Sequence, residues 1–273
     1  MADLTTSLRL VTGVSLDVVE QGRSDGTPVI FLHGFADSWR SFEEVLAHLP
    51  SWTRAIAPSF RGHGESSKPE TGYGITNLAA DIAALHDALE LEPAVLVGHS
   101  LCSAVALRLA IDQPDRVSGI VLVGATPTLS ASTAARAFWD DQLARLTDPV
   151  DPAFIGSMIE GMVARPVSPG FIERMATESA KVPAHVWRAF FESRWRGEGE
   201  YAGELGRVAA PALIVWGDRD PRYGRADQDA LAAAIPDARL LIYQGAGHTL
   251  HWEEPERFAD DVVRFVAEIT DRH

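Results

Sequence analysis

Five short, nearly continuous apolar runs punctuate the chain: Pro28–Leu32, Ala94–Val97, Ile120–Val123, Ala212–Trp216 and Arg239–Tyr243. A glycine stands at or just past the end of each. Runs of this length without polar alternation predict strands buried on both faces, as in a parallel sheet covered by helices. Between them, apolar residues recur at helical spacing, which predicts helices over Ser41–Leu49, Thr76–Leu91, Leu101–Asp112, Ala226–Ile235 and Pro255–Ile269. In 76–91, for example, Leu78, Ile82, Leu85 and Leu89 fall at steps of three and four on one face. The opening Leu8–Val19 alternates around a Thr12-Gly13 turn and predicts a hairpin. Strand and helix in regular succession predict an α/β fold, a mostly parallel sheet flanked by helices with right-handed crossovers.

From about Pro127 to Val208 the alternation stops and no strand-like run occurs. Prolines at 149, 152, 166, 169 and 183 divide this stretch into short helices. Asp151-Pro152 and Ser168-Pro169 each read as an N-cap followed by proline at the first helical position. Phe154, Ile155, Met158, Ile159, Met162 and Val163 share one face, and Trp187, Phe190, Phe191 and Trp195 share another. The expected organisation is a core of 1–126 and 209–273 with a helical cap, 127–208, inserted after the sixth strand. Most of the cap's apolar residues are expected to pack on the core. Methionine and aromatic side chains also suit an adaptable apolar pocket, so Trp139, Met158, Met162, Trp187 and Phe191 are the candidates to line one.

Composition narrows the functional classes. The 273 residues are 46% hydrophobic and 23% charged, an ordinary globular balance. With 24 Lys and Arg against 38 Asp and Glu, the net charge of −14 argues against nucleic acid or an anionic membrane surface as partner. A single cysteine, Cys102, excludes an internal disulfide and a cysteine-based zinc site. No stretch is long and apolar enough to span a bilayer, and the first residues lack the basic start and apolar run of a signal peptide. A cytoplasmic protein is expected. Neither a Gly-x-Gly-x-x-Gly fingerprint nor a phosphate-binding loop is present, so no cofactor is implied.

The strongest chemical signal is Val95-Leu-Val-Gly-His-Ser-Leu-Cys-Ser-Ala104. A buried strand, then Gly-His-Ser, then an apolar helix is the setting of a nucleophile elbow, where a sharp turn lifts the Ser100 hydroxyl off the backbone. Small neighbours let strand and helix pass closely, and the helix N-terminus aims N–H groups at developing negative charge. Four further segments stand at strand ends: His33-Gly-Phe35, Arg61-Gly-His-Gly-Glu-Ser66, Gly217-Asp-Arg-Asp220 and Gly247-His248. In this order the motifs resemble the α/β-hydrolase superfamily, from about Pro28 to Val266. Two positions depart from the pattern. Cys102 stands where many members have glycine, and Pro58-Ser-Phe60 lacks the aspartate that commonly precedes the Arg-Gly-His-Gly segment.

The resemblance implies a catalytic triad in the order serine, acid, histidine, with Ser100 as nucleophile and His248 as base. Asp218 and Asp220 both qualify as the acid. The third residue after the glycine is usual in similar hydrolases and favours Asp220, leaving Asp218 to brace the loop. The oxyanion hole implied by the family pattern uses the backbone N–H groups of Phe35 and Leu101. His33 and His63 are expected to brace loops and His99 to pack under the elbow. His248 and His251 could mimic a metal pair, but no third ligand is evident nearby, so no metal site is expected.

The expected reaction is hydrolysis of a small or medium apolar carboxylic ester or lactone through an acyl-enzyme, by a carboxylesterase or lactonase. One rival is a slow hydrolase that acts as a small-molecule receptor and signals through cap movement. Another is a different serine-dependent reaction, such as carbon–carbon bond hydrolysis or perhydrolysis. A serine at position 100 argues against the epoxide hydrolases and haloalkane dehalogenases of this superfamily, which use aspartate there.

Overall fold

The chain's computed structural model describes residues 5–129, 132–197 and 201–271. The sheet opens with the expected hairpin: β1 (Thr5–Arg9) and β2 (Ser15–Gly22) pair antiparallel. Their turn closes by Leu10 N–H to the Val14 carbonyl and Gly13 N–H to the Leu10 carbonyl. β3 (Thr27–Leu32) runs into a 3-10 turn, Trp39–Phe42, and then α1 (Glu43–Leu46), where a single helix over 41–49 is predicted. β4 (Thr53–Pro58) has no counterpart among the apolar runs. Arg54 and two alanines dilute its hydrophobicity, and its place is fixed by pairing with β2 and β3.

α2 (Ile75–Ala88), β5 (Ala94–His99), α3 (Ser103–Asp112) and β6 (Val117–Val123) follow in α/β alternation. Four helices then intervene: α4 (Thr133–Asp141), α5 (Pro152–Glu160), α6 (Pro169–Ala180) and α7 (Ala184–Trp195). β7 (Ala212–Gly217), α8 (Arg225–Ala234), β8 (Ala238–Tyr243), the short α9 (Leu250–Glu253) and α10 (Pro255–Thr270) complete the chain. The strand order is β1-β2-β4-β3-β5-β6-β7-β8, and every pair from β4 to β8 is parallel. No helix among the described residues is long and apolar enough to cross a membrane.

β5 occupies the middle of this sheet, and all six of its residues are buried. Its side chains alternate between two apolar layers, as the period of two requires. Leu96 joins the larger cluster, which includes α2, α3 and the cap helices, whereas Val95 and Val97 face Val262, Phe265 and Val266 of α10. The cap therefore shares its apolar packing with only one face of the core. Both proline-marked caps form: Asp151 Oδ1 accepts from Ala153 N at 2.9 Å and Ser168 Oγ from Phe171 N at 3.3 Å. α5 stops at Gly161, however, so Met162 and Val163 continue its apolar face only in sequence.

The loop after β4 has a carboxylate after all. Asp81 of α2 receives both Arg61 Nε and Nη2 at 2.6 Å, in a bidentate pair buried from solvent. The missing aspartate before Arg61 is replaced from a helix 20 residues away. Replacing Asp81 with Ala leaves the Arg61 guanidinium buried and unpaired. The expected loss is about 3–5 kcal/mol of unfolding free energy, read from urea denaturation.

Candidate active site

The sharp turn between β5 and α3 puts Ser100 at φ +55°, a left-handed conformation that side chains rarely adopt. Holding a non-glycine residue there costs on the order of 1–3 kcal/mol. Close approach makes Gly98 obligatory: a Cβ there would stand 2.8 Å from the Ser103 Cα and 3.1 Å from the Cys102 carbonyl oxygen. The Ser103 hydroxyl ties the crossing by donating to the Gly98 carbonyl at 2.7 Å. Cys102 is fully buried, and burial pushes its thiol well above the ordinary range, so it is packing rather than a nucleophile.

Three side chains from separate strand ends converge on this turn. Ser100 Oγ lies 2.8 Å from His248 Nε2, and His248 Nδ1 lies 2.8 Å from Asp220 Oδ2. An ionised carboxylate only accepts, so Nδ1 carries the proton and Nε2 accepts from the serine hydroxyl. Burial alone would raise the Asp220 carboxyl. The adjoining His248, together with the Arg222 and Tyr223 amides, outweighs it and holds the group below the usual range. Those amides donate to Asp220 Oδ1 at 2.7 and 3.1 Å. Asp218 is exposed and instead accepts from Gly245 N. A hydroxyl, an imidazole and an oriented carboxylate in series can draw a proton off the hydroxyl.

Four other histidines, His33, His63, His99 and His251, serve the frame. His33 accepts from Phe60 N at 2.9 Å and faces the Gly34 carbonyl at 2.8 Å, joining the loops after β3 and β4. His63 lies 3.0 Å from the Arg61 carbonyl, and burial lowers it to about 4. His99 reaches the His248 carbonyl at 3.2 Å under the elbow, and burial lowers it to about 3. His251 turns away from His248 toward Ser41 Oγ at 3.2 Å and stacks on Phe42.

Ser100 and His248 open into a cavity of about 240 Å³ between sheet and cap. Phe35 and Leu101 line it beside them, and Met158, Met162 and Phe191 form cap walls. Trp139 and Trp187 do not line it. Trp139 packs against Trp195, and Trp187 stands behind Phe35 with ring centroids 5.1 Å apart. Trp187 also donates its indole N–H to the Val182 carbonyl at 3.0 Å, which turns it inward.

Three residues of the site escape a reading of the sequence. Gly124, at the end of β6, has φ +50°, and a Cβ there would lie 3.0 Å from His248 Nδ1 and 3.2 Å from Asp220 Oδ2. Its missing side chain is the space in which that pair meets. Tyr223 lines the cavity with its ring against His248, and only its position three residues after Asp220 hints at this. Asp37 is 3% exposed, also lines the cavity and accepts from Ser41 Oγ at 3.3 Å.

Burial raises the Asp37 carboxyl from 3.8 to about 7. Between those values the folded chain holds a proton that the unfolded chain has lost, so this group's stabilisation fades as pH rises. Relative to Asp37→Asn, the wild type should therefore lose unfolding free energy steadily from the lower value to the upper. Chemical denaturation of both proteins across that range checks it.

Comparison with known proteins agrees with this architecture. The alpha/beta hydrolase fold family profile matches residues 27–255. A non-heme chloroperoxidase from Streptomyces lividans is 31% identical, over 97% of this chain and 99% of its own. The crystal structure of esterase RhEst1 from Rhodococcus sp. ECU1013 superposes with a TM-score of 0.81 at 27% identity, covering 97% of this chain and 99% of that one. The structure of Est816, described as an N-acyl homoserine lactone degrading enzyme, does so at 0.77 and 28%, covering 93% and 97%.

Proposed function

Because the chain belongs to the α/β-hydrolase family, we propose that it is a serine hydrolase of small or medium apolar carboxylic esters or lactones. The observation that carries this reading is the unbroken series Ser100 Oγ, His248 Nε2, His248 Nδ1, Asp220 Oδ2, with both links at 2.8 Å and its serine end in a cavity. Ser100 Oγ attacks the substrate carbonyl as His248 takes its proton, and Asp220 steadies the resulting imidazolium. The Phe35 and Leu101 N–H groups receive the oxyanion. His248 then protonates the departing alcohol. In the second half it deprotonates a water that attacks the acyl-serine, and the acid leaves with Ser100 restored.

The apolar side chains of Phe138, Met158, Met162 and Phe191 along the cavity favour hydrocarbon on the acyl or alcohol side. A cavity of about 240 Å³ suits small to medium groups better than long chains. We treat 127–208 as the cap that sets this limit and 1–126 with 209–273 as the core that holds the chemistry. The relation to an esterase and to a lactone-degrading enzyme supports both ester and lactone as substrates. A second reading draws on the relation to the chloroperoxidase. In it, hydrogen peroxide replaces water in the second half, so the acyl-serine yields a peracid and free Ser100.

Hydrolysis of a chain-length series of p-nitrophenyl esters tests the first reading. Ser100→Ala should abolish multiple turnover, whereas retained activity would refute it. Asp220→Asn should lower kcat by on the order of 10⁴-fold, and Asp218→Asn far less. Equal losses would overturn the assignment of the acid. Peracid formed from a carboxylic acid and peroxide, and lost in Ser100→Ala, would support the second reading.

A further inference from the structure

His248 stands in Gly245-Ala-Gly-His248, a loop after β8 with no regular structure of its own. Such a loop is held only by what it touches. The Gly245 N–H goes to Asp218, the Gly247 N–H to Glu253 and the His248 N–H to the Met162 carbonyl. Two of these three anchors involve the cap. Met162 presents its carbonyl to His248 N at 2.9 Å and to Thr249 N at 3.4 Å. Glu253 Oε1 accepts from Ala164 N at 2.8 Å and from Gly247 N at 3.0 Å, so one oxygen joins two segments 83 residues apart (247 − 164 = 83). Its other oxygen reaches Gly247 N at 3.2 Å. The fit leaves no slack: a Cβ on Gly247 would lie 2.6 Å from the Met162 carbonyl oxygen and 2.8 Å from both Ala164 N and Glu253 Oε1. Arg165 adds an ion pair to Glu254.

We propose that Glu253 is a positioning residue for the reaction above, and the proposal rests on that reading. Its carboxylate straps cap residues 162–165 to the histidine loop and so holds the His248 imidazole against Ser100. Glu253 touches neither Ser100 nor the cavity and acts only through the loop. What matters in this role is the reach of an acceptor oxygen rather than its charge. Glu253→Gln keeps an oxygen at that reach, whereas Glu253→Asp keeps the charge but withdraws it by one methylene.

The test measures the rate at which a fluorophosphonate labels Ser100, alongside KM and kcat for a p-nitrophenyl ester. Glu253→Asp and Glu253→Ala should slow labelling and kcat by about 10- to 100-fold with little change in KM. Glu253→Gln should stay within about threefold of wild type. Rates are compared at equal folded fraction, fixed by thermal melts. Wild-type rates in both Asp and Ala variants, or a slow Gln variant beside a fast Asp one, would overturn the proposal. Wild-type protein that resists labelling would count against the serine-hydrolase reading instead. Hydrogen exchange then decides the strap alone. Glu253→Asp should lose protection in 162–165 and 245–249 together while β5 keeps its own, and loss in neither segment, or in one alone, would overturn it.

Discussion

The site depends on one backbone conformation. Ser100 sits at φ +55° between the central strand β5 and α3, a state that a side-chain-bearing residue holds only when its surroundings leave no alternative. The surroundings comply. β5 is buried along its whole length, α3 is buried on almost every position, and Gly98 lets the two pass with no room for a methyl group. Relaxing the turn would mean displacing a strand from the middle of an eight-stranded sheet. That rigidity lets a single hydroxyl stand at a fixed point in a cavity.

The partners of Ser100 are held differently. The elbow is fixed by packing, but His248 lies in a loop fixed by hydrogen bonds to Asp218, Glu253, His99 and the cap's Met162 carbonyl. Packing resists displacement in every direction, whereas hydrogen bonds resist it along particular lines. The Ser100 hydroxyl is thus set by the core, and the position of the His248 imidazole by an agreement between core and cap. Met162 takes part twice, with its carbonyl on the histidine and its residue in the cavity wall.

Much of this was legible in the sequence because it is local. Continuous apolar runs ending in glycine give buried parallel strands, and Asp151-Pro152 and Ser168-Pro169 give helix starts. β4 shows no apolar run because Arg54, Ala55 and Ala57 carry little hydrophobic signal, so only the Arg61–Ser66 motif at its end marks it in the sequence, and its neighbours β2 and β3 define it. The same holds in the site. Ser100, Asp220 and His248 stand in recognisable segments, and the geometry brings them together. Trp139 and Trp187 have the size and chemistry of pocket residues, but a helix period fixes a face and not its neighbour, and both turn into the cap. Gly124 and the Asp81 partner of Arg61 act across the fold, where spacing along the chain carries no information.

The order of the chain gives the elbow a history as well as a shape. Ser100 precedes His248 by 148 residues, and Asp220 lies only 28 before the histidine. During synthesis, strands β1 to β6 and the whole cap emerge before either partner exists, and proteins fold from the N-terminal side as they are made. A nascent chain thus carries Ser100 without Asp220 or His248, and Glu253 arrives later still. The series from Ser100 to Asp220 can close only once β7 and β8 have joined the sheet's far edge. Helices α4 to α7 precede both strands in the chain, so until then the Ser100 hydroxyl has no imidazole beside it.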